Sequence, residues 1–296
     1  MSEGLAAIAG AIAEASGLRV ASRPQELVSG SGRDEAWRWP TRGGHLFVKL
    51  APAPALGRLA CEAAALATLG ATEQVRVPAV FGHGATTTTA WLALEWLDLQ
   101  APDAAAEAAL GEALALLHGS HAPRFGFAHD NYLGGSVQVN GWLDDGALFL
   151  AKRRLEPQLG LAKANGYGGI LEERGRRLLE AVPAFFTDYQ PVPSLLHGDL
   201  WAGNRGMVAD STPVVFDPAA YYGDREAEIA MTRLFGGFGA PFYAAYQAGS
   251  PLDAGAATRQ GLHSLYHALN HLNLFGRNYL AQARALIDRL LAEAGH

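Results

Sequence analysis

Three polar side chains in residues 195–218 are spaced in a way that suits phosphoryl transfer. Asp199 and Asn204 are five residues apart, and Asp217 follows thirteen residues later, after a short apolar segment. In a phosphoryl-transfer site, one carboxylate accepts the proton of an attacking hydroxyl, while an amide and a second carboxylate hold Mg²⁺ on the nucleotide phosphates. This stretch of the chain therefore contains the side chains that such a site needs.

Each of these residues also has an ordinary structural explanation. Gly198-Asp199 suits a turn, because Gly and Asp are turn residues, and Asp217-Pro218 suits the end of a strand. Considered singly, each residue is better explained in this way. Considered together, and with a matching lysine upstream, they favour a functional site.

The matching lysine is Lys49, which lies in the apolar strand segment 45–50. A lysine among apolar strand residues needs a partner or a ligand. Glu62 follows thirteen residues later in the helical segment 57–69, and a strand lysine followed by a helix glutamate is the arrangement that positions nucleotide phosphates in kinases. The alternative is a lysine that extends to solvent at the strand edge, with a surface glutamate. The residues around Asp199 favour the functional interpretation.

Two further segments are candidates for nucleotide contacts. Gly30 and Gly32 lie in a small Ser-Gly turn between two predicted strands. Backbone N–H groups there could contact phosphates, although an ordinary hairpin turn fits the same residues. Glu95, Trp96 and Leu97 leave the predicted sheet. A hinge between two lobes would pass at this position, and its backbone groups would meet adenine.

The composition narrows the class of protein. The chain has 296 residues, 49% of them hydrophobic, which suits one large or two modest packed domains. The net charge of −6 argues against nucleic acid as the main partner, because no basic surplus exists to neutralise its phosphates.

Cysteine usage and apolar runs bear on the compartment. Cys61 is the single cysteine, so no internal disulfide can form and a reducing compartment is expected. No apolar run is long enough to span a bilayer, and residues 1–17 lack the basic start and the cleavage site of a signal peptide. We therefore expect a cytoplasmic protein without a membrane partner.

Hydrophobic patterns predict strands in the first third of the chain and helices in the remainder. Short runs punctuated by glycines predict an antiparallel meander. Strands are predicted over 18–20, 26–28, 36–39, 45–50, 77–81 and 90–94. Helices are predicted over 2–16, 57–69, 104–118, 142–159, 171–182, 226–234, 262–274 and 279–294. The helix over 262–274 is unusually polar, and its side chains are expected either to be buried and hydrogen-bonded or to form a pocket wall.

Several segments resemble the fructosamine kinase (ketosamine 3-kinase) family. The segments are 196–204 (LHGDLWAGN), 217–226 (DPAAYYGDRE), 230–238 (AMTRLFGGF), 269–276 (LNHLNLFG), 137–142 (VQVNGW) and 154–155 (RL). The resemblance covers most of the chain. The His-Gly-Asp loop is shared with aminoglycoside and choline kinases. Trp201 in that loop, the double tyrosine and the Leu-Asn-His-Leu-Asn run are much more specific to this family.

The resemblance implies an α+β, two-lobed, protein-kinase-like fold. Residues 1–97 would form a small nucleotide-binding lobe with an antiparallel sheet, and residues 98–296 a larger, mainly helical lobe with catalytic and substrate groups. It also implies ATP and Mg²⁺ as cofactors, and phosphorylation of the sugar O3 hydroxyl of a ketosamine. The 3-phosphate would then break down and release the amine, which repairs glycated amines.

The resemblance also implies roles for the site residues. Asp199 is similar to the catalytic base, Asn204 and Asp217 to the Mg²⁺ ligands, and Lys49 with Glu62 to the phosphate-positioning pair. The turn that contains Gly30 and Gly32 is a loose version of the family's phosphate-covering turn.

The substrate pocket and the alternative functions are less narrowly defined. Trp201, Asp224 and Glu226 are expected to shape the pocket, because an aromatic wall and carboxylates suit a sugar that carries an amine. One alternative is an aminoglycoside or amino-alcohol phosphotransferase, and the other is a nucleotide-binding pseudokinase, against which the filled catalytic positions argue. A two-lobed chain of this kind is expected to be a monomer.

Overall fold

An antiparallel five-stranded sheet occupies the first third of the chain. The computed structural model describes residues 2–21, 23–27, 34–234 and 236–295. The strand order is β1-β2-β3-β5-β4. The strands are β1 (Gln25–Leu27), β2 (Glu35–Thr41), β3 (Gly44–Pro52), β4 (Val80–Ala85) and β5 (Thr89–Glu95).

The sheet is covered on both faces by helices. Helix α1 (Ser2–Ser16) packs Ile12 against Trp91 and Ala93 of β5. Helix α2 (Leu56–Gly70) shares a core with Leu92 and Leu94, which are the alternate residues of the same strand. Successive strand side chains point to opposite faces. Because both faces of β5 are covered, its central residues 90–94 are apolar without interruption.

The remainder of the described chain is mainly helical. Its helices are α3 (Ala104–Leu117), α4 (Gly146–Phe149), α5 (Glu156–Ala162), α6 (Ile170–Ala181), α7 (Arg225–Arg233), α8 (Ala240–Gly249), α9 (Ala256–Phe275) and α10 (Leu280–Glu293). Two π-helical segments, Leu150–Leu155 and Lys163–Tyr167, extend α4 and α5. A second core lies between α5, α6, α9 and α10. Among the described helices, none combines the length and apolarity needed to cross a membrane.

Three short antiparallel pairs of strands also occur in the described chain, and two of them flank the loops that carry Asp199 and Asp217. They are β6 (Asn131–Leu133) with β7 (Ser136–Gln138), β8 (Ser194–Leu196) with β11 (Tyr221–Gly223), and β9 (Arg205–Met207) with β10 (Pro213–Val215). The loop 197–204 joins β8 to β9, and the loop 216–220 joins β10 to β11. Both loops are therefore tied at each end to a strand.

Most predicted elements are present, with a few shifted boundaries. The strand predicted over 77–81 begins only at Val80, since Pro78 has no N–H group to donate to a ladder. The helix predicted from Trp142 begins at Gly146, where the carboxylate of Asp145 accepts the N–H of Leu148 at 2.7 Å. The predicted strand over 18–20 reduces to a single bridge between Val20 and Thr41.

Helix α8 was missing from the sequence prediction. It packs along α3, and the close approach depends on Gly111, where an added Cβ would lie 2.3 Å from the carbonyl oxygen of Phe242. The sheet ends at Glu95 and α3 begins at Ala104. The division of the chain after residue 97 stays a prediction.

Candidate active site

A cleft of about 680 Å³ brings together six of the predicted site residues, and five of these are the predicted catalytic, phosphate-positioning and metal-binding residues. Lys49 comes from β3, Glu62 from α2, Asp199 and Asn204 from the loop after β8, and Asp217 from the loop after β10. These residues are up to 168 positions apart in sequence. The predicted grouping is therefore realised by the fold.

Lys49 joins the sheet to the loop that carries Asp217. Its Nζ atom donates to Glu62 Oε1 at 2.8 Å and also contacts Asp217 Oδ1. Burial acts to lower the pKa of Lys49, but the charges of Asp217 and Glu62 outweigh burial and raise it. Burial raises the pKa of Glu62 to about 7, against the opposing effect of Lys49. The amine is therefore cationic and is aimed at the base of the cleft.

Asn204 is oriented by Asp199. Its Nδ2 atom donates to the backbone oxygen of Asp199 at 2.9 Å and to the Oδ2 atom of the same residue at 3.3 Å. Burial raises the pKa of the Asp199 carboxyl well above its usual range, and the nearby charges of Asp217 and Glu228 raise it further. The site thus contains a carboxyl group of increased basicity, as general-base chemistry requires.

The donor set suits a divalent magnesium ion. Because the amide nitrogen of Asn204 is committed to Asp199, its oxygen Oδ1 is the atom left for a ligand. The side chain of Asp217 is 44% exposed, toward the cleft. Hard oxygen ligands of this type are those that Mg²⁺ prefers. A cation there would also offset the mutual repulsion of the carboxylates.

The loop 197–204, called the catalytic loop because it carries the predicted base Asp199, is supported by Glu228, a residue that the sequence did not single out. Glu228 lies in α7 and is 1% exposed. Its Oε2 atom accepts the backbone N–H of His197 at 2.5 Å, and its Oε1 atom accepts that of Gly198 at 3.1 Å. Burial acts to raise the pKa of Glu228, but His118 and His197 lower it below its usual range. The only sequence signal was an acidic residue among the apolar positions of the α7 helix.

His197 links the catalytic loop to Phe216, the residue before Asp217. Its Nε2 atom is 2.9 Å from the carbonyl oxygen of Phe216, and its Nδ1 atom accepts the N–H of Asp199 at 3.3 Å. Burial lowers the pKa of His197. A neutral imidazole with its proton on Nε2 satisfies both contacts, so His197 is a structural member of the loop.

Two tight backbone contacts hold Asp217 in place. Gly198 has φ +85°, and an added Cβ would lie 2.1 Å from the carbonyl oxygen of Ala219. The N–H of Ala219 donates to the backbone oxygen of His197 at 2.9 Å. Asp217 itself has φ +58°, a left-handed conformation that is uncommon for a residue with a side chain. The surrounding contacts must therefore over-determine this conformation.

The residues predicted to contact the nucleotide, at the Ser-Gly turn and at the hinge, are not among the described residues of the cleft. Gly30 and Gly32 lie outside the described residues. Glu95, Trp96 and Leu97 are not among the described residues that line the cleft. The Glu95 carboxylate accepts the backbone N–H of Ala79 at 3.1 Å, and the Trp96 indole donates to Asp98 at 2.8 Å. Adenine contacts at these positions stay a prediction.

The three predicted substrate residues separate into two groups. Trp201 lines the cleft, with its ring against Gly203. Asp224 and Glu226 are 7% and 1% exposed and are not among the described cleft-lining residues, so the expectation that they face the substrate is corrected. The carboxylate of Glu226 accepts hydrogen bonds from both Nε and Nη2 of Arg259, at 2.9 and 2.7 Å.

Asp224 has a structural role at the start of α7. Its Oδ1 atom accepts the N–H of Glu226 and the hydroxyl of Tyr189, each at 2.9 Å. Its Oδ2 atom lies 3.5 Å from His263 Nε2. An acidic side chain at a helix N-terminus is favoured by the exposed N–H groups there. These carboxylates therefore form a buried support behind the cleft.

Helix α9 forms a polar wall of the cleft. His267, Asn270 and His271 line the cleft, as do Phe275 and Tyr279 at its mouth. Burial lowers the pKa of His267 to about 3, so this side chain is neutral. The two sequence alternatives for this helix, buried hydrogen-bonded side chains or a pocket wall, are therefore both realised. The polar pattern of this helix indicated a pocket wall as one alternative. Only the folded structure identified which of its side chains line the cleft.

Comparisons with known proteins point to one family. The sequence profile described as "Fructosamine kinase" matches residues 5–293. A "Probable ketoamine kinase" of Synechocystis sp. is 40% identical over 246 residues, which cover 83% of this chain and 82% of that protein. The crystal structure of a candidate fructosamine-3-kinase from Haemophilus somnus has a TM-score of 0.87 at 29% identity and covers 96% of each chain.

A more distant likeness concerns the fold alone. The structure of an aminoglycoside phosphotransferase has a TM-score of 0.61 at 15% identity and covers 96% of this chain and 98% of the other. The predicted α+β, protein-kinase-like fold is thereby confirmed. With a profile match over nearly its whole length and a relative at 40% identity, the chain belongs to the fructosamine kinase family.

Proposed function

We propose that this protein is an ATP-dependent kinase that phosphorylates the O3 hydroxyl of the sugar in a ketosamine. The observation that carries the proposal is the contact of Lys49 with Asp217 beside Asp199. This contact brings a cationic amine and a carboxylate together in the cleft that Asp199 also lines, which supports the proposed roles of a phosphate-binding cation, a metal ligand and a base. Membership of the fructosamine kinase family supports a ketosamine as the acceptor.

Asp199 acts as the general base in this proposal. Its carboxylate accepts the proton of the sugar hydroxyl as the O3–P bond forms and the bond between the γ-phosphorus and the bridging oxygen of ADP breaks, with the electron pair leaving on ADP. Asn204 and Asp217 would hold Mg²⁺, which when bound offsets the negative charge of the phosphates. Lys49, oriented by Glu62, would bind the phosphates of ATP. Positioning and electrostatics supply most of the catalysis.

The α9 wall of the cleft suits the uncharged hydroxyl groups of a sugar. His267 is neutral and Asn270 offers both a donor and acceptors, so the α9 wall can bind hydroxyl groups without fixing a charge. Trp201, in the catalytic loop, supplies an aromatic face of the same cleft. Breakdown of the 3-phosphate would release the amine, so the activity would repair glycated amines. The cytoplasmic location and the monomeric state stay predictions.

The test is ADP release in the presence of Mg²⁺ and the ribulosamine or fructosamine of lysine, with mass spectrometry of the product. Asp199→Asn is the control. We expect ADP release that depends on the acceptor and is lost in the variant. ADP release with aminoglycosides or amino alcohols but with neither ketosamine would overturn the proposed substrate. Nucleotide binding without transfer to any acceptor would favour the pseudokinase instead.

A further inference from the structure

The β6–β7 hairpin packs against the loop that carries Asp217, and both segments line the cleft. Its two strands pair Asn131 with Gln138, which places both side chains on the same face. The tip of the hairpin, from Tyr132 to Gly135, lines the cleft. Asn131 and Gln138 are 2% and 1% exposed, and their side chains point toward the backbone of residues 219–220.

Both side-chain amides donate hydrogen bonds to the backbone two and three residues after Asp217. Asn131 Nδ2 donates to the carbonyl oxygen of Ala220 at 2.8 Å, and Gln138 Nε2 donates to that of Ala219 at 3.0 Å. The oxygen of Ala219 is therefore enclosed between Gln138 and the tight turn of the catalytic loop. Ala219 also donates its N–H to that loop. The peptide two residues from the proposed metal ligand is thus fixed from both sides.

The orientation of these amides is set by further buried hydrogen bonds. Gln138 Nε2 and Asn140 Nδ2 both donate to Asn131 Oδ1, at 2.8 and 2.9 Å. The hydroxyl of Tyr266 in α9 donates to Gln138 Oε1 at 2.9 Å. Arg154 Nη2 donates to Asn140 Oδ1 at 2.8 Å. Each amide oxygen thus accepts from a fixed donor, so neither Asn131 nor Gln138 can rotate to present its oxygen to the backbone.

The buried cation of this network is itself held by aromatic rings. The guanidinium carbon of Arg154 lies 4.0 Å from the ring centroid of Tyr221 and 4.6 Å from that of Phe149. Its Nη1 atom donates to the carbonyl oxygen of Val139 at 2.5 Å. Arg154 lies in a π-helical segment, a feature often found at functional sites. The network therefore spans a π-helical segment, α9 and the hairpin, and ends on the backbone after Asp217.

We propose that the hairpin Asn131–Gln138 positions the metal-binding carboxylate of Asp217, with Gln138 and Asn131 as positioning residues. The left-handed φ of Asp217 is a strained conformation that needs such support. Without the two amides, the segment 217–220 loses its contacts on the side opposite the catalytic loop. The inference rests on the proposed function, because it assigns a role toward the Mg²⁺ of that kinase.

Two variants outside the cleft test this role. Gln138→Met keeps the length of the side chain and removes its donor, and Tyr266→Phe removes only the hydroxyl that orients Gln138. Ser136→Ala is the matched control, since Ser136 lies on the same hairpin and its Oγ atom has no hydrogen-bond partner among the described residues. Calorimetry would give the affinity for ADP with and without Mg²⁺. Amide hydrogen exchange would report on the segment 217–223.

We expect Mg²⁺ to tighten ADP binding in the wild-type protein and in Ser136→Ala. The gain from Mg²⁺ should fall about tenfold in Gln138→Met, which loses three buried hydrogen bonds, and about threefold in Tyr266→Phe, which loses one of them. Affinity for metal-free ADP should not change, and exchange in the segment should become faster. An unchanged Mg²⁺ gain and unchanged exchange in both variants would overturn the positioning role. A wild-type protein without any Mg²⁺ gain would instead overturn the proposed metal-assisted function.

Discussion

The amide nitrogen of Asn204 donates to the backbone oxygen of Asp199 at 2.9 Å and to its carboxylate at 3.3 Å. This pair of contacts fixes the rotamer of Asn204 and directs its oxygen away from Asp199. The base and one proposed metal ligand are thereby held in a set relationship within a single short loop.

Replacement of Asp199 by Asn should abolish most of the activity and stabilise the protein. We expect kcat to fall by at least ~10²-fold, the low end for loss of a general base. The folded-state pKa of Asp199 is raised by burial, so its ionisation opposes folding once the pH exceeds the unfolded pKa. The neutral amide removes this penalty, and Tm at slightly alkaline pH without Mg²⁺ should rise. Asp144→Asn, at a side chain 83% exposed, is the control. Near-wild-type turnover in Asp199→Asn would contradict the assignment.

The pH dependence of kcat/KM should have an acidic limb set by Asp199. Burial and the neighbouring carboxylates raise its pKa, so the proton-accepting form is lost as the pH falls through that raised value. Bound Mg²⁺ favours the carboxylate and should move the limb to lower pH. Rate profiles from mildly acidic to neutral pH at two Mg²⁺ concentrations would measure this shift. A limb that does not move with Mg²⁺ would argue against a shared metal and base site.

Replacement of Lys49 by Met should weaken the use of ATP. We expect kcat/KM for ATP to fall about 10- to 100-fold, because hydrogen bonds to charged groups contribute about 1.5–3 kcal/mol. Lys49→Arg should restore little activity, since a planar guanidinium cannot replace a compact ammonium between two carboxylates. Steady-state kinetics would test both variants, with Lys152→Met at an exposed ion pair as the control. Full activity of the arginine variant would show that charge alone matters at this position.

Replacement of Glu228 by Gln should loosen the catalytic loop. One of the two backbone N–H groups of His197 and Gly198 would face the amide NH₂ group in place of an acceptor. The unpaired buried donor should lower stability by about 1–3 kcal/mol. We expect kcat to fall more than the KM for ATP changes, because the loop carries the base. Chemical denaturation and kinetics would measure the effects, with the exposed Glu112→Gln as the control. A fall in kcat no larger than the unfolded fraction measured by denaturation would point to partial unfolding instead.

Two glycines with nearly the same φ separate backbone strain from close packing. Gly198 has φ +85° and Gly166 has φ +86°, but only Gly198 lies against another backbone, that of Ala219. In Gly166→Ala we expect only the left-handed penalty of about 1–2 kcal/mol and normal activity. Gly198→Ala must also displace the loop, so its Tm and kcat should both fall further. Similar Tm and kcat in the two variants would show that the loop adapts without loss of geometry.

Several candidate site residues were selected from their types and spacings, and these side chains meet in one cleft, whereas their roles stay predictions. Lys49 stood out as a charge in an apolar strand, and Asp199 and Asn204 lie close enough in the chain for their spacing to carry information. Periodicity also predicted most strands and helices, because side-chain direction repeats within each element. Helix α8 was missed because its short apolar run has no strong period of its own and its packing depends on α3.

Contacts between distant segments were decided only by the tertiary structure. The meeting of Lys49 with Asp217, the support of the loop by Glu228 and the hairpin network behind Asp217 all join elements whose relative positions follow from packing of the two cores. Asp224 and Glu226 show the same limit, since their residue types suit a substrate pocket but a helix N-terminus and Arg259 satisfy them in the interior. A sequence specifies which groups are present, whereas burial and partners, which set charge and pKa, arise only when the chain is folded.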